Sequence, residues 1–297
     1  MDTINISKKI IKKAEELKLS SVESSEGYVI RDPKDPQKAF KLLHKKSGVN
    51  FSNKLYTINS LIDLSERIDM PEMVFPECLL TVDDEVVGFS MLLIDGVTLA
   101  DILFNSDIDI KVKVKYLKQI GSILEKMASV RKENPKLNWY LNDLHERNFM
   151  VDLEKERLYA VDLDSCRILG NHPFVSKYLS LFSPLIDFPE KYHTDFQISC
   201  GGDFVADENA DLYCYAMLVI DFLYGARINY ASKEEYFKYL EYLKSIGAPG
   251  ELVDAWAKVY SNDNNVNFAP LLDSLPYFYE KADRELYLKR TKGMPRK

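Results

Sequence analysis

The alternation of apolar and polar positions changes character along the chain, and each change predicts a new element. From Leu17 to Leu43 the pattern is short and two-fold: Leu19–Glu23, a polar bend at Ser24-Ser25-Glu26-Gly27, then Tyr28–Arg31 and Ala39–Leu43. Asp32-Pro33-Lys34-Asp35-Pro36 separates the last two, and Pro and Asp preset turn geometry, so three strands with a hairpin are predicted. Residues 51–68 switch to a helical period, with Leu55, Ile58, Leu61, Ile62, Leu64 and Ile68 on one face. Phe75–Val82 and Val86–Ile94, joined at Asp83-Asp84-Glu85, form a second hairpin.

The pattern then turns helical. Asp107 is placed to cap a helix running to about Val130, with Tyr116, Leu117, Ile120, Leu124 and Met127 inward. Two short apolar strands follow, Phe149–Val151 and Tyr159–Val161, around a turn at Asp152–Arg157. An irregular stretch from Ser165 to Asp207 leads to helices at about 209–225, 233–246, 250–260 and 268–288. Tyr213, Tyr215 and Met217 read as core. At the start, Lys8, Lys9, Lys12 and Lys13 lie among spaced Ile residues, the pattern of an amphipathic helix with a solvated face. The fold class expected is α+β: residues 1–95 a β-rich unit with an N-terminal helix, a five-stranded sheet and one main helix, 96–288 a larger helical unit, and 289–297 a basic tail.

Composition removes several functional classes. A net charge of −7 argues against a nucleic-acid binder, whose domain should be basic. Cys78, Cys166, Cys200 and Cys214 have no CxxC spacing, so neither a zinc site nor a disulfide framework is expected. The longest apolar run, Leu212 to Ala226, contains Asp221 and is too short and polar to span a bilayer. With no apolar stretch of signal-peptide type at the start, a cytoplasmic protein is the expectation.

Chemistry concentrates in Tyr140-Leu141-Asn142-Asp143-Leu144-His145-Glu146-Arg147-Asn148-Phe149-Met150-Val151 and in Ala160-Val161-Asp162-Leu163-Asp164. Asp143 and Asn148 sit on a loop entering one strand, and Asp162 follows the next strand. A short hairpin brings the three polar tips to one edge. Transfer of a γ-phosphoryl group needs such a set: one carboxylate to orient and deprotonate a hydroxyl, and an amide oxygen with a second carboxylate to hold Mg²⁺. Hard oxygen donors suit that ion.

On these residues the chain resembles the protein-kinase-like superfamily, which includes protein kinases and the aminoglycoside- and choline-type phosphotransferases. The resemblance spans roughly residues 18 to 285 and implies a bilobal fold with ATP and Mg²⁺ (or Mn²⁺) in the cleft. It implies Asp143 as catalytic aspartate, Asn148 and Asp162 as metal ligands, and Asp164, in place of the glycine of the Asp-Phe-Gly motif, as an auxiliary ligand. Ala39-Phe40-Lys41-Leu42 resembles the strand carrying the phosphate-binding lysine, which makes Lys41 the candidate. Glu66 is its expected acidic partner, with Asp63 the rival. Ser25 and Gly27 belong to a reduced glycine-rich loop, and Ile94 and Asp95 to an interlobe hinge whose backbone would meet adenine. Asp211, opening Asp-Leu-Tyr, resembles the aspartate that braces the catalytic loop, and is also placed to cap its helix. Phe188-Pro189-Glu190 resembles the end of an activation segment. His145 is read as bracing the loop, while His44, His172 and His193 receive no role. Gly201-Gly202-Asp203 is read as a turn.

Leu141-Asn142 stands where protein kinases have His-Arg, so control through an arginine reading a phosphorylated loop is not expected. Three classes stay open: an atypical protein serine/threonine kinase, first because of the Asp211 helix and the helical C-terminal arrangement; a small-molecule kinase, because of Asp143-Leu144-His145; and a nucleotide-binding pseudokinase or scaffold, because of the degenerate glycine loop.

Overall fold

A computed structural model of the chain describes residues 3–14, 16, 18–19, 27–44, 51–171, 208–224, 233–260 and 266–281. It is an α+β protein. The first sheet contains β1 (Thr3–Asn5), β2 (Gly27–Arg31), β3 (Lys38–Leu43), β4 (Pro76–Val82) and β5 (Glu85–Leu92), in the order β1-β4-β5-β3-β2. β1 runs parallel to β4, and the other neighbours are antiparallel. The turns are where the sequence places them. Asp32 accepts the Lys34 N–H and Asp35 that of Gln37, two side-chain-closed turns that reverse the chain between β2 and β3. Asp83 and Asp84 both take positive φ, the conformation a tight hairpin needs and aspartate tolerates.

Alternation along β3 decides what each face of this sheet carries. Phe40 and Leu42 pack with Ile6, Ala14, Ile30 and Leu80 on one face, where α1 (Lys8–Lys13) adds Ile10 and Ile11. Ala39 and Leu43 pack on the other with Ile58 and Ile62 of α2 (Phe51–Ser65). Lys41 lies between Ala39 and Leu43, so a two-residue period turns it toward the α2 face.

Beyond β5 the chain enters a second, three-stranded sheet of β6 (Val97–Thr98), β7 (Phe149–Asp152) and β8 (Arg157–Ala160). Helix α3 (Leu99–Leu103) opens with a capping box between Thr98 and Asp101. The long α4 (Ile110–Glu133) buries Val114, Leu117, Ile120 and Met127, and it packs on α5 (Glu208–Tyr224). Helix α5 is apolar on nearly every side, as a helix at the centre of a core must be. Helices α6 (Lys233–Ser245) and α7 (Gly250–Tyr260) complete the cluster.

Four expectations change. The α4 cap is Asp109, whose Oδ1 accepts the Lys111 N–H at 2.7 Å; the Asp107 N–H instead bonds Asn105 in the preceding turn. The N-terminal segment is a strand before it is a helix, because Thr3–Asn5 pairs with Leu79–Thr81 along an open sheet edge. The helix expected over 268–288 is broken into Ala269–Ser274, Leu275–Phe278 and Tyr279–Lys281, with Pro270 and Pro276 removing two backbone donors. The two-stranded pairing expected of 149–161 gains β6 as a third strand. Among the described residues no helix is long and apolar enough to cross a membrane.

The two sheets are tied by the connection between α2 and β4. Val74 N–H donates to the Ala160 carbonyl at 2.9 Å, and Ala160 N–H to that of Glu72 at 2.8 Å. The buried Glu72 carboxylate meets Lys126 of α4 and Arg157 of β8. This clamp fixes β8, and with it the residues that follow, relative to the first sheet.

Candidate functional site

Pairing of β7 with β8 sets Phe149 opposite Ala160, so the residues just outside that pair, Asn148 and Val161, face each other. The Val161 N–H donates to the Asn148 carbonyl at 2.9 Å, which places Asp162 beside the loop that enters β7. Asp143, Asn148 and Asp162 line one small cleft. The expected convergence is therefore present.

The loop is held from below. Asp211, 3% exposed in α5, accepts the Leu141 N–H at 2.8 Å through Oδ2 and the Asn142 N–H at 2.9 Å through Oδ1. Asn142 has φ of 64°, a left-handed conformation that the two bonds and its own amide bond to the Ser165 carbonyl hold in place. Asp211 is thus a brace of the 141–142 backbone. The 143–148 turn closes on itself. Asn148 Nδ2 donates to the Asp143 carbonyl at 2.9 Å and to its Oδ2 at 3.2 Å, which leaves Asn148 Oδ1 as an acceptor for other groups. His145 Nδ1 accepts the Arg147 N–H at 3.2 Å, which leaves Nε2 as the N–H donor, 3.4 Å from Asp143 Oδ2. The structural role expected of His145 is seen, and it includes orienting the Asp143 carboxylate.

Lys41 reaches across from β3. Its Nζ pairs with Asp162 Oδ1 and lies 2.6 Å from Asp164 Oδ1, with the lysine 3% exposed and Asp164 fully buried. Asp164 Oδ2 lies 2.8 Å from Nζ of Lys54 on α2, an ion pair. Burial and the neighbouring Asp164 charge, against the pull of Lys41, push the Asp162 carboxyl up to about 6. Burial would also raise Asp164, but Lys41 and Lys54 together outweigh it and hold that carboxyl below the usual range. Asp164 is therefore the ionised member of the pair, and Asp162 the one that gains a proton first.

Two site assignments are corrected by this arrangement. Asp63 is exposed on the solvent side of α2 and Glu66 is exposed in the turn just after it, and the carboxylates that meet Lys41 are Asp162 and Asp164. Asp164, expected as an auxiliary ligand, has one lysine at each oxygen and no exposure, the placement of a counter-ion. Gly27 stands in β2, where a Cβ would come within 2.2 Å of the Leu42 carbonyl oxygen, so strand pairing alone requires a glycine there. Ile94 packs beside the α2-side core, and Asp95 is exposed on the segment leading into β6. Ser25, Glu190, His172, His193 and Gly201-Gly202-Asp203 lie outside the described residues.

The donors that fit a hard divalent ion are Asn148 Oδ1 and Asp162, whose side chain keeps 31% of its surface exposed and so remains reachable. Among the described residues no group of three or more His, Cys, Asp or Glu is gathered as a metal site. Two protein oxygens agree with an ion that keeps several waters and is completed by substrate phosphates.

Lys54 escaped the sequence reading. Its signal was present: one cation in the helical stretch 51–65, four residues before Ile58 and seven before Leu61, on the apolar face. No protein-family model matches the chain, and no curated protein is similar to it.

Proposed function

We propose that this protein is an ATP-dependent phosphotransferase of bilobal, protein-kinase-like architecture. Its acceptor is a hydroxyl group, in the first instance a serine or threonine of a protein. The observation that carries the reading is the gathering of Asp143, Asn148 and Asp162 around one small cleft, with Lys41 of β3 paired to Asp162. That is the set in-line phosphoryl transfer uses.

In the proposed reaction the acceptor oxygen bonds to the γ-phosphorus as the bond to the β–γ bridging oxygen breaks, and ADP leaves. The hydroxyl proton passes to Asp143 Oδ2 or Oδ1, whose orientation His145 Nε2 and Asn148 Nδ2 maintain. Lys41 turns from Asp162 to the α- and β-phosphates when nucleotide enters. Asn148 and Asp162 would hold Mg²⁺, which neutralises phosphate charge. Asp211 keeps the loop backbone still while this occurs, so positioning is preserved.

The contact between His145 and Asp143 favours a second reading, transfer to a small alcohol, since Asp-Leu-His is the form of the motif in small-molecule phosphotransferases. One experiment separates them. The protein is incubated with γ-labelled ATP and Mg²⁺ or Mn²⁺, with a generic protein substrate or with small alcohols. Label on protein supports the first reading, and label only on alcohols the second. Nucleotide binding without turnover refutes both and leaves a binding module.

A further inference from the structure

Helix α2 offers the site a cation. Lys54 lies one turn into the helix, 4% exposed, and its Nζ is 2.8 Å from Asp164 Oδ2. The other oxygen of the same carboxylate takes Lys41 at 2.6 Å. One buried aspartate thus bridges two lysines from two elements. The same face of α2 is docked a second time: Asn171 Nδ2 donates to the Asn53 carbonyl at 2.7 Å and to Thr57 Oγ1 at 2.8 Å. Residues 53, 54 and 57, adjacent on one helix face, are all held by the segment that follows β8.

Charge explains why a lysine is needed there. Lys41, Lys54, Asp162 and Asp164 together are neutral when ionised. Without Lys54, Lys41 would be the partner of two carboxylates, the buried Asp164 and the half-buried Asp162, and would be held more firmly away from any anionic ligand. We propose, resting on the phosphotransfer reading, that Lys54 is a positioning residue. By neutralising Asp164 it lets Asp164 anchor Lys41 while leaving the Lys41 ammonium able to turn to nucleotide phosphates. The acid–base roles are inverted relative to the expected pairing of Lys41 with an α2 carboxylate: the helix supplies the compensating cation, and the anchor comes from the β8 side.

The test is a charge-balance cycle read with Mg²⁺–ATP by titration calorimetry and steady-state kinetics, with folding checked by circular dichroism. Lys54→Met should raise the ATP Kd and KM about tenfold or more, with kcat falling less, because the lost element acts on nucleotide binding. Lys54→Arg should recover most of the affinity. The double variant Lys54→Met/Asp164→Asn, again neutral, should bind ATP more tightly than Lys54→Met alone, an interaction that a purely structural role would not produce. Should Lys54→Met misfold, Lys54→Arg and the double variant carry the test. Wild-type affinity in Lys54→Met, or a double variant no better than the single, overturns this inference and leaves the phosphotransfer reading standing. Folded wild-type protein that binds no Mg²⁺–ATP overturns both.

Discussion

Removing the Asp211 carboxylate tests the brace under the 141–148 loop without assuming any activity. In Asp211→Ala the Leu141 and Asn142 N–H groups, both buried, lose acceptors at 2.8 and 2.9 Å. Each buried donor left unsatisfied costs about 1–3 kcal/mol, so the pair sums to about 2–6 kcal/mol. The lower part of that range is expected, because the variant also sheds a buried charge. Asp211→Asn keeps one acceptor oxygen and turns an NH₂ group toward the second donor, so it should lie between alanine and wild type. Asn142 amplifies the effect, since these bonds and the Ser165 contact are set against the strain of its left-handed conformation. Urea unfolding gives the stability change, and amide exchange at 141 and 142 localises it. Both amides should lose protection beyond what the global change explains, with catalytic turnover, if present, falling about 10²-fold through misplaced groups. An unchanged urea midpoint with unchanged exchange at 141 and 142 would refute the brace.

Asp143→Asn should lower kcat by roughly 10²–10⁴-fold while leaving Mg²⁺–ATP affinity nearly unchanged, as measured by kinetics and calorimetry together. Asp162 has a folded-state pKa raised from 3.8 to about 6, so between those values the folded state binds more protons than the unfolded one. Stability of the ligand-free protein should therefore fall as pH rises from about 4 to about 6; Asp162→Asn, followed by urea midpoints across that window, should flatten the fall. Cys166 is buried, and burial with the nearby Asp211 charge pushes its thiol well up, so iodoacetamide mapping by mass spectrometry should label the half-buried Cys78 before Cys166, which should react only on unfolding. Gly96→Ala should destabilise the fold, because a Cβ there would lie 2.2 Å from the Val151 carbonyl oxygen; an unchanged melting temperature would contradict the close approach.

The elements that were legible are those whose determinants are local. Asp32, Asp35, Asp83 and Asp84 close their own turns, and the 3.6-residue period of α2 and α4 needs no distant partner to be recognised. Asp143, Asn148 and Asp162 were found for a similar reason: one hairpin register brings them together. What was missed depends on distant surfaces. Thr3–Asn5 is a strand because the β4 edge is open to it, and Val97–Thr98 because β7 is. The expected partner of Lys41, Glu66 with Asp63 the rival, rests on distance along the chain to the Phe75-Pro76 strand entry. Which carboxylate meets Lys41 depends on the rotation of α2, which leaves Asp63 in solvent and turns Lys54 inward, and on the turn after it, where Glu66 is exposed.

A cluster of this kind is an expensive way to build a core. Lys41, Lys54 and Asp164 are almost wholly buried, and taking ions out of water costs several kcal/mol each before pairing returns any of it. Apolar side chains of similar size would pack the α2 face of the sheet, between Ala39, Leu43 and Ile58, at no such cost. The contrast with the exposed Lys118–Asp273 and Lys115–Glu156 pairs is direct: those sit in water, contribute little and need no explanation beyond solubility. Sequences depart from consistent packing chiefly where a site demands it. Here the departure lies beside the left-handed Asp162, the His145-oriented Asp143 and the doubly braced Leu141-Asn142 backbone. Four features, each with a different physical origin, lie beside one cleft. On the proposed phosphotransfer reading, recognition of an anionic ligand would account for the lysines, and transfer of a group from it for the aspartates.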